Sequence, residues 1–465
     1  MANGNGHQEE KILQQVQDRP KYKFLFVSLG YAGDLAWQLK KEGHEVKYYL
    51  NPKYGDDLYD GFFEKIKNWK ENVDWADVII FDDTGMGNLA DELRKKGKAV
   101  IGGTPYTDRL EEDREFGQSE MKRVGMLTLP HWDFDNYDTA LEFIRENPGR
   151  YVFKPSGIVT SDAKDLLFLG REEDGRDLYE IINHNKILLQ KKFKRFQLQK
   201  LASGVEIGVS AFFNGIDFIY PITIAFEHKR LFPGELGPLT GEMGTSLFFC
   251  EPNYFFKTTL EKMRGDLQKA GYVGYIDINC IVNGRGIYPL EWTCRFGYPT
   301  ISIQLEGITS PIGEFLFAIA NHRNYDLKTK KGFQIGVVCA TPPFPYYDKT
   351  KVDVYKDLSI LFKKSNLDGV HLGDIKLVDG DWRLAGDEGY DLVITGAGAT
   401  MEEARKQAYG RIDNIILQNM FYRTDIGASW SEDRDRLHTW GYLEKADKLD
   451  AGISFPEEIK DEIIK

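Results

Sequence analysis

Asp277 and Glu291 lie in two alternating runs within Gly271 to Pro299, GYVGYIDINCIVNGRGIYPLEWTCRFGYP. In the first run Asp277, Asn279 and Ile281 share one face of a strand, with Ile276, Ile278, Cys280 and Val282 on the other. In the second, Glu291 and Thr293 alternate with Leu290 and Trp292. The Asn-Gly pair between the runs signals a hairpin. A loop of Asn283 to Arg285 pairs Val282 with Gly286 and predicts Asp277 directly opposite Glu291, their Cβ atoms about 5 Å apart. Register carries this expectation, because a loop one residue longer or shorter moves the carboxylates out of opposition. Two carboxylates so close repel unless a cation sits between them. The simplest cation is Mg²⁺, a hard ion bound by one or two carboxylates together with nucleotide phosphates, and the site would then transfer phosphoryl groups. The other reading is a pair of solvated charges on the open face of an antiparallel sheet.

Three further stretches could meet a phosphate. Tyr151-Val-Phe-Lys154 ends an apolar strand just before a loop, where a lysine acts as a point charge on phosphate or snorkels to solvent. The turn Ser28-Leu-Gly-Tyr-Ala-Gly33 could cradle an anion with its backbone N–H groups, or be a plain strand-to-helix turn, since it is not GxGxxG. Residues 226 to 245 are too long for a simple connection, rich in glycine, and begin with Lys229 and Arg230 after Phe226-Glu-His, which suits closure over an anionic substrate. No Ser-His-Asp or Cys-His arrangement offers a side-chain nucleophile.

The elements that must position these residues follow from the apolar runs. Strands at Lys23 to Ser28, Glu45 to Leu50, Asp77 to Phe81 and Val100 to Thr104, with a helix through Leu35 to Lys40, predict the opening of a doubly wound parallel sheet. A charged helix is expected over Arg109 to Val124, and more strand over Ile187 to Phe213, broken at Ala202-Ser-Gly204. After about Gly332 come strands at Gln334 to Cys339, Val370-His371, Ile375 to Val378 and Asp391 to Ile394, then a helix from Met401 to about Met420, a small α/β cap.

The chain of 465 residues is long enough for two to four domains, with 42% hydrophobic and 28% charged residues as in globular proteins. A formal charge of −12 argues against general nucleic-acid binding, which needs a basic footprint, without excluding a local phosphate pocket. Four cysteines without CxxC spacing fit buried thiols in a reducing compartment. Residues 1 to 20 lack the apolar core of a signal peptide, and no apolar run reaches the length of a membrane span. A cytoplasmic protein with a disordered N-terminal tail is expected, with no membrane partner.

The order of strand-lysine-loop, GPLTGEMGT (237 to 245), acidic strand and EWTCRFGYP (291 to 299) resembles the ATP-grasp superfamily and, within it, the glycinamide ribonucleotide synthetases, or phosphoribosylamine-glycine ligases. That family carries GPNTGGMG and EFNxRFGDPE at the matching places. The likeness runs through Gly336-Val-Val-Cys-Ala and Ala404-Arg-Lys-Gln-Ala-Tyr409 to Asp425-Ile-Gly427, about residues 22 to 430. It implies an α/β architecture: a tail over 1–21, a Rossmann-like domain over 22–108, an ATP-grasp domain over 109–330, a C-terminal α/β domain over 331–428 and an extension over 429–465. It implies a monomer or homodimer working on small-molecule substrates in purine biosynthesis. ATP and Mg²⁺, or Mn²⁺ in its place, are the implied cofactors. Lys154 and Arg114, where the family has lysine, would contact ATP phosphates, Gln199, Lys200 and Leu201 would form the adenine hinge, and Glu206 would meet the ribose hydroxyls. Asp277 and Glu291 would hold the metal, with Thr293 at its edge, and Arg295, with Lys229 and Arg230, would neutralise charge on the transferring group. The substrates would meet Gly237, Thr240, Gly241, Glu242 and Gly244 in the long loop, and Gly30, Gly33 and Asp34 in the N-terminal turn.

The implied chemistry is attack of a carboxylate oxygen on the γ-phosphate, then displacement of phosphate from the acyl phosphate by an amine. The anionic reactants need neutralisation and the intermediate needs protection from water, for which the 226–245 loop would be the lid. Several residues depart from the family. Its glycine-rich phosphate loop is here Ser156-Gly-Ile-Val-Thr-Ser-Asp-Ala-Lys164, Thr293 replaces a metal-binding asparagine, Gly30-Tyr-Ala-Gly-Asp34 replaces GGREH, and Glu242 stands where the family has glycine. Two alternatives follow: the same ligase chemistry on another amine or amino acid, such as a modified nucleotide or a peptide-type product, or an ATP-binding protein without ligase activity.

Overall fold

The structure is a computed structural model that describes residues 20–51, 55–156, 166–444, 453 and 455. The expected tail lies outside the described residues up to 19, as do nearly all of the 156–164 loop and most of the chain after 444.

The N-terminal part comprises β1 (Lys23–Ser28), α1 (Gly33–Lys41), β2 (Glu45–Leu50), β3 (Glu64–Lys65), β4 (Val78–Phe81), α2 (Gly87–Lys95) and β5 (Val100–Ile101). The strands pair in parallel in the order β3-β2-β1-β4-β5, the doubly wound opening expected from the apolar runs. β1 and β4 are buried almost throughout because both faces of the sheet are covered, which is why they read as unbroken apolar runs. The last strand is shorter than the Val100 to Thr104 expectation, since Thr104 instead caps α3 (Pro105–Glu112) in a reciprocal capping box. The single helix expected over Arg109 to Val124 is two. Asp113 ends α3 and caps α4 (Arg114–Arg123) by accepting the Phe116 N–H, which makes Arg114 the first helical residue.

A smaller unit follows: β6 (His131–Phe134), α5 (Tyr137–Glu146), β7 (Tyr151–Ser156), β8 (Phe168–Leu169), α6 (Arg176–Lys192) and β9 (Arg195–Lys200), its sheet ordered β6-β9-β7-β8. It has its own core of Tyr137, Ile144, Phe153, Leu178, Ile182 and Phe196. Residues Ile187 to Lys192, expected as strand, end α6 instead: Leu178, Ile182 and Leu189 are its buried residues, at helical spacing.

The central sheet holds β10 (Val205–Asn214), β11 (Phe218–Glu227), β14 (Gly244–Cys250), β15 (Val273–Asn283) and β16 (Gly286–Thr293). Between β11 and β14 the supposed loop is a small hairpin, β12 (Arg230–Phe232) and β13 (Leu236–Leu239). Helices α7 (Thr300–Gly307) and α8 (Ile312–Ala320) lead to β17 (Phe333–Cys339), β18 (Ser359–Phe362), β19 (Val370–Leu372), β20 (Ile375–Val378), β21 (Asp381–Leu384), β22 (Leu392–Gly398), α9 (Met401–Ile412), β23 (Ile415–Ile416) and α10 (Trp430–Thr439). Eight strands form one sheet in the order β16-β15-β10-β11-β14-β17-β22-β19, so it continues unbroken across residue 330. β18, β20, β21 and β23 form a separate sheet. The helix from Met401 stops at Ile412, short of Met420, because Asn414 and Asn419 belong to the turns around β23, Asn419 with φ +57°.

Candidate active site

The pairing of β10, β11, β15 and β16 sets Glu206, Gly208, Ser210, Thr223, Glu227, Asp277, Asn279, Glu291 and Thr293 on one face of the central sheet. The expected opposition of Asp277 and Glu291 is corrected. Asn283 pairs with Gly286, leaving only Gly284 and Arg285 in the turn, and a bulge shifts the register between Asn279 and Cys280. Asp277 therefore faces Thr293, and Glu291 faces Asn279. The physical reason is Pro289 in the edge strand β16: proline cannot donate to a ladder and is accommodated at edges and bulges.

The cation among these carboxylates is Lys229, whose Nζ lies 2.9 Å from Glu206, 3.3 Å from Glu227 and 3.2 Å from Glu291. Asn279 donates from Nδ2 to Glu227 at 2.9 Å, which turns its Oδ1 away, and that oxygen is buried without a partner. Asp277 is buried, and its carboxyl is pushed well above the ordinary range by burial and then by Glu227, with Lys229 opposing. A Cβ on Gly208 would stand 3.0 Å from Asp277 Oδ2 and 3.3 Å from Asn279 Oδ1, so glycine there keeps the space between them open. Among the described residues no three His, Cys, Asp or Glu side chains already converge as a metal cage. The donor chemistry still fits a hard divalent ion that arrives with phosphates, since Asp277, Glu291 and the orphaned Asn279 oxygen are all oxygen donors on one face.

Cations gather on one side of this face. Lys154 is buried rather than reaching solvent, and its Nζ donates to Gln199 Oε1 at 2.6 Å. Burial, and then Arg114, lower its ammonium to about 7. The expected hinge is partly committed elsewhere, because the Lys200 N–H donates to the Pro130 carbonyl and the Leu201 N–H to that of Arg150. The Lys200 ammonium lies over the Tyr151 ring.

On the other side Arg295 lies 3.0 Å from Asp83 and 3.1 Å from Glu111, and Glu111 also accepts the Cys294 N–H. Several backbone donors of the N-terminal turn are already taken within the protein. Leu29 and Ala32 donate their N–H groups to Asp82, which also accepts from Ser28. Asp82 is buried and pushed up to about 7, by burial first. Gly30 accepts the Tyr59 hydroxyl at 2.6 Å, and a Cβ on Gly33 would strike the Tyr59 ring. Asp34, expected at the substrate, is buried and committed inside the protein: Oδ2 meets Ser302 and His371, and Oδ1 accepts the Leu372 N–H. It fastens α1 to α7 and β19.

The hairpin residues divide. Lys229 reaches the carboxylates, whereas Arg230 donates to the Gly237 carbonyl and lines a cleft of about 410 Å³ with Leu167 to Leu169, Arg171 and Asp177. Gly237 has φ +82°, and a Cβ there would strike the Phe232 ring. Thr240 donates from both N–H and hydroxyl to the Lys229 carbonyl, fixing the lysine's backbone. Gly241 is exposed, Glu242 is buried, and Gly244 opens β14 at φ +150° against the Gly336 carbonyl. The hairpin is held from the C-terminal side by the buried Arg423, which donates to Glu235, to Asp425 and to the Arg230 carbonyl.

Glu227, Asn279, Glu111, Asp82 and Asp83 enter the site without having been singled out from the sequence. Asn279 carried a signal, its shared face with Asp277. Glu111 sits in a run of mixed charges indistinguishable from a solvated helix face.

Residues 112–301 match the family model described as phosphoribosylglycinamide synthetase, ATP-grasp (A) domain. The phosphoribosylamine-glycine ligase of Clostridium acetobutylicum is 23% identical over 423 residues, covering 85% of this chain and 96% of that protein. The solved phosphoribosylamine-glycine ligase of Thermotoga maritima superposes with a TM-score of 0.67 at 20% identity, covering 87% of this chain and 100% of that one. The biotin carboxylase domain of Hydrogenobacter thermophilus 2-oxoglutarate carboxylase, solved with MgADP and bicarbonate, shares the fold with a TM-score of 0.60 at 12% identity, over 92% and 100% of the two chains.

Proposed function

We propose that this ATP-grasp protein, a relative of the phosphoribosylamine-glycine ligases, is an ADP-forming carboxylate-amine ligase that joins glycine to 5-phosphoribosylamine through an acyl phosphate. The observation that carries the reading is the juxtaposition of Lys154 and Arg114 with the Lys229, Asp277 and Glu291 face inside the matched domain. One side supplies positive charge for nucleotide phosphates, and the other supplies oxygen donors.

In this reading Arg114 and Lys154 hold the phosphates and Glu206 is placed toward the ribose. Asp277 and Glu291, with the Asn279 oxygen in place of the family's asparagine at Thr293, would hold Mg²⁺ or Mn²⁺, which when bound neutralises charge on the phosphates. Lys229 steadies the carboxylates and stands beside the transferring group. Arg295 sits on the acid and amine side, held by Asp83 and Glu111, where a guanidinium can neutralise an acyl phosphate. The β12–β13 hairpin, anchored by Arg423, is the lid of this reading, which would keep water from the intermediate.

ADP release that requires both glycine and 5-phosphoribosylamine, with product mass equal to the amide, tests the reading. ATP binding without ADP release under any acid and amine overturns it.

A second reading keeps the ligase chemistry and changes the amine, and Asp82 favours it. A carboxylate already takes the Leu29 and Ala32 N–H donors of the 28–33 turn, and Ser28 takes that of Gly30, so the turn has fewer donors for a phosphate-bearing amine. Turnover with unphosphorylated amines in preference to 5-phosphoribosylamine distinguishes the two.

A further inference from the structure

The Met243 peptide is pinned from both sides: its N–H donates to the His228 carbonyl at 2.8 Å, and its carbonyl accepts the Val338 N–H at 3.0 Å. That fixes the preceding residue, Glu242, which is 7% exposed, with Oε1 buried and without a hydrogen-bond partner. Its charged neighbours are Glu227, Lys229, Asp277 and Glu206 of the sheet face. Glu242 also acts on Tyr390, whose hydroxyl is likewise buried without a partner. A buried carboxylate oxygen beside other carboxylates is costly unless a donor, best a cationic one, reaches it.

We propose that Glu242 binds the α-ammonium of the amino-acid substrate, and is the residue by which this chain selects an amino acid over a plain carboxylic acid. This rests on the ligase reading above. An α-amino acid has one carbon between its carboxylate and its ammonium. An acid group directed at the phosphoryl centre beside Lys229 and Asp277 therefore carries its ammonium to the adjacent position, where Glu242 stands. The ammonium has three donors, enough to satisfy Glu242 and the Tyr390 oxygen together. Holding the nitrogen protonated also has a chemical effect. Its lone pair is unavailable, so the bound amino acid's own nitrogen does not act as a nucleophile in the site, and the acyl phosphate is left for the amine of the second substrate.

The test uses hydroxylamine, which displaces phosphate from an acyl phosphate and gives a hydroxamate whatever the natural amine is. Glycine, glycolate and acetate are compared in the full-length protein and in Glu242→Gln, Glu242→Gly and Glu242→Asp. The expected result is a KM for glycine about ten- to a hundredfold higher in Glu242→Gln and Glu242→Gly. KM for ATP and for glycolate stays within about twofold, on the tenfold-per-1.4-kcal/mol scale, and Glu242→Asp recovers part of the glycine preference. An unchanged glycine KM with an unchanged preference over glycolate in Glu242→Gln overturns the assignment while leaving the ligase reading standing. Absence of hydroxamate from every acid in the unaltered protein overturns the ligase reading, and this assignment with it.

Discussion

Asp277 faces Thr293 across the β15–β16 ladder, and its partner carboxylate Glu291 is displaced by one pair to face Asn279. The two carboxylates thus sit on a diagonal, Asp277 buried and Glu291 with about half its side chain, 51%, exposed. Either change, Asp277→Asn or Glu291→Gln, is expected to lower ADP release by about a hundredfold or more, the scale of losing a charge-stabilising group at a transferring phosphoryl. Thermal unfolding separates this from misfolding: Asp277→Asn removes a buried charge crowded by Glu227 and leaves the melting temperature unchanged or higher. Near-normal turnover in both variants would remove the basis for the metal assignment.

Lys154 gives the site a pH signature. Its ammonium titrates at about 7 when folded, against 10.5 as its ordinary value, so between these limits the folded protein binds fewer protons than the unfolded chain. The stability associated with the neutral amine is full above the ordinary value and is lost as pH falls toward 7. ATP favours the charged form, so nucleotide binding should take up a proton above pH 7 and weaken as pH rises. Calorimetry in buffers of different ionisation enthalpy measures that uptake. Lys154→Arg, charged throughout, should abolish it, and an equal uptake in that variant would place the proton elsewhere.

Asp34 is expected to matter for stability and not for substrate affinity. Its carboxyl is held below the ordinary range despite burial, chiefly through His371. The stabilisation is present above about pH 4 and lost as pH falls through the lower folded value. Asp34→Ala strips partners from Ser302, His371 and the Leu372 N–H and should cost roughly 2–4 kcal/mol in urea unfolding at pH 7. KM values for ATP and glycine should hold. A large rise in the glycine KM would return Asp34 to the substrate.

Arg423 sets how firmly the hairpin is held. Arg423→Ala leaves Asp425 and the Arg230 carbonyl without its donors and should cost roughly 1–3 kcal/mol. Glu235→Gln, at a side chain 60% exposed, should cost less than about 1 kcal/mol. With the hairpin loosened, water reaches the acyl phosphate, so ADP release without amide formation should rise in Arg423→Ala. Tight coupling of ADP to product in that variant would show that the hairpin is held by other contacts.

The N-terminal sheet was legible because parallel strands are buried on both faces and announce themselves as apolar runs such as Val78–Phe81. The lysine-bearing strand and the acidic hairpin were legible because alternation marks one polar face. Register was not: it depended on a bulge beside Pro289, and the loop length alone pointed to the wrong pairing. Asp82, Asp34 and Glu111 were illegible for another reason. Each owes its role to a partner distant in the chain or a backbone group it caps, and neither local pattern nor composition records that meeting. The hairpin at 230–239 was hidden by its glycines, which read as irregular loop although Gly237 lies within β13, where its positive φ lets the strand pass against the Phe232 ring.

The unbroken run of the large sheet across residue 330 bears on how the protein can be cut. A fragment ending there loses β17, β22 and β19 and leaves β14 as a raw border, its Leu247-Phe248-Phe249 stretch beside a row of unpaired amides and carbonyls. Such a border is a template for the same strand of a second molecule. The excised fragment should therefore scatter light and precipitate at concentrations where the whole chain stays clear, making the C-terminal third the guard of the sheet's edge.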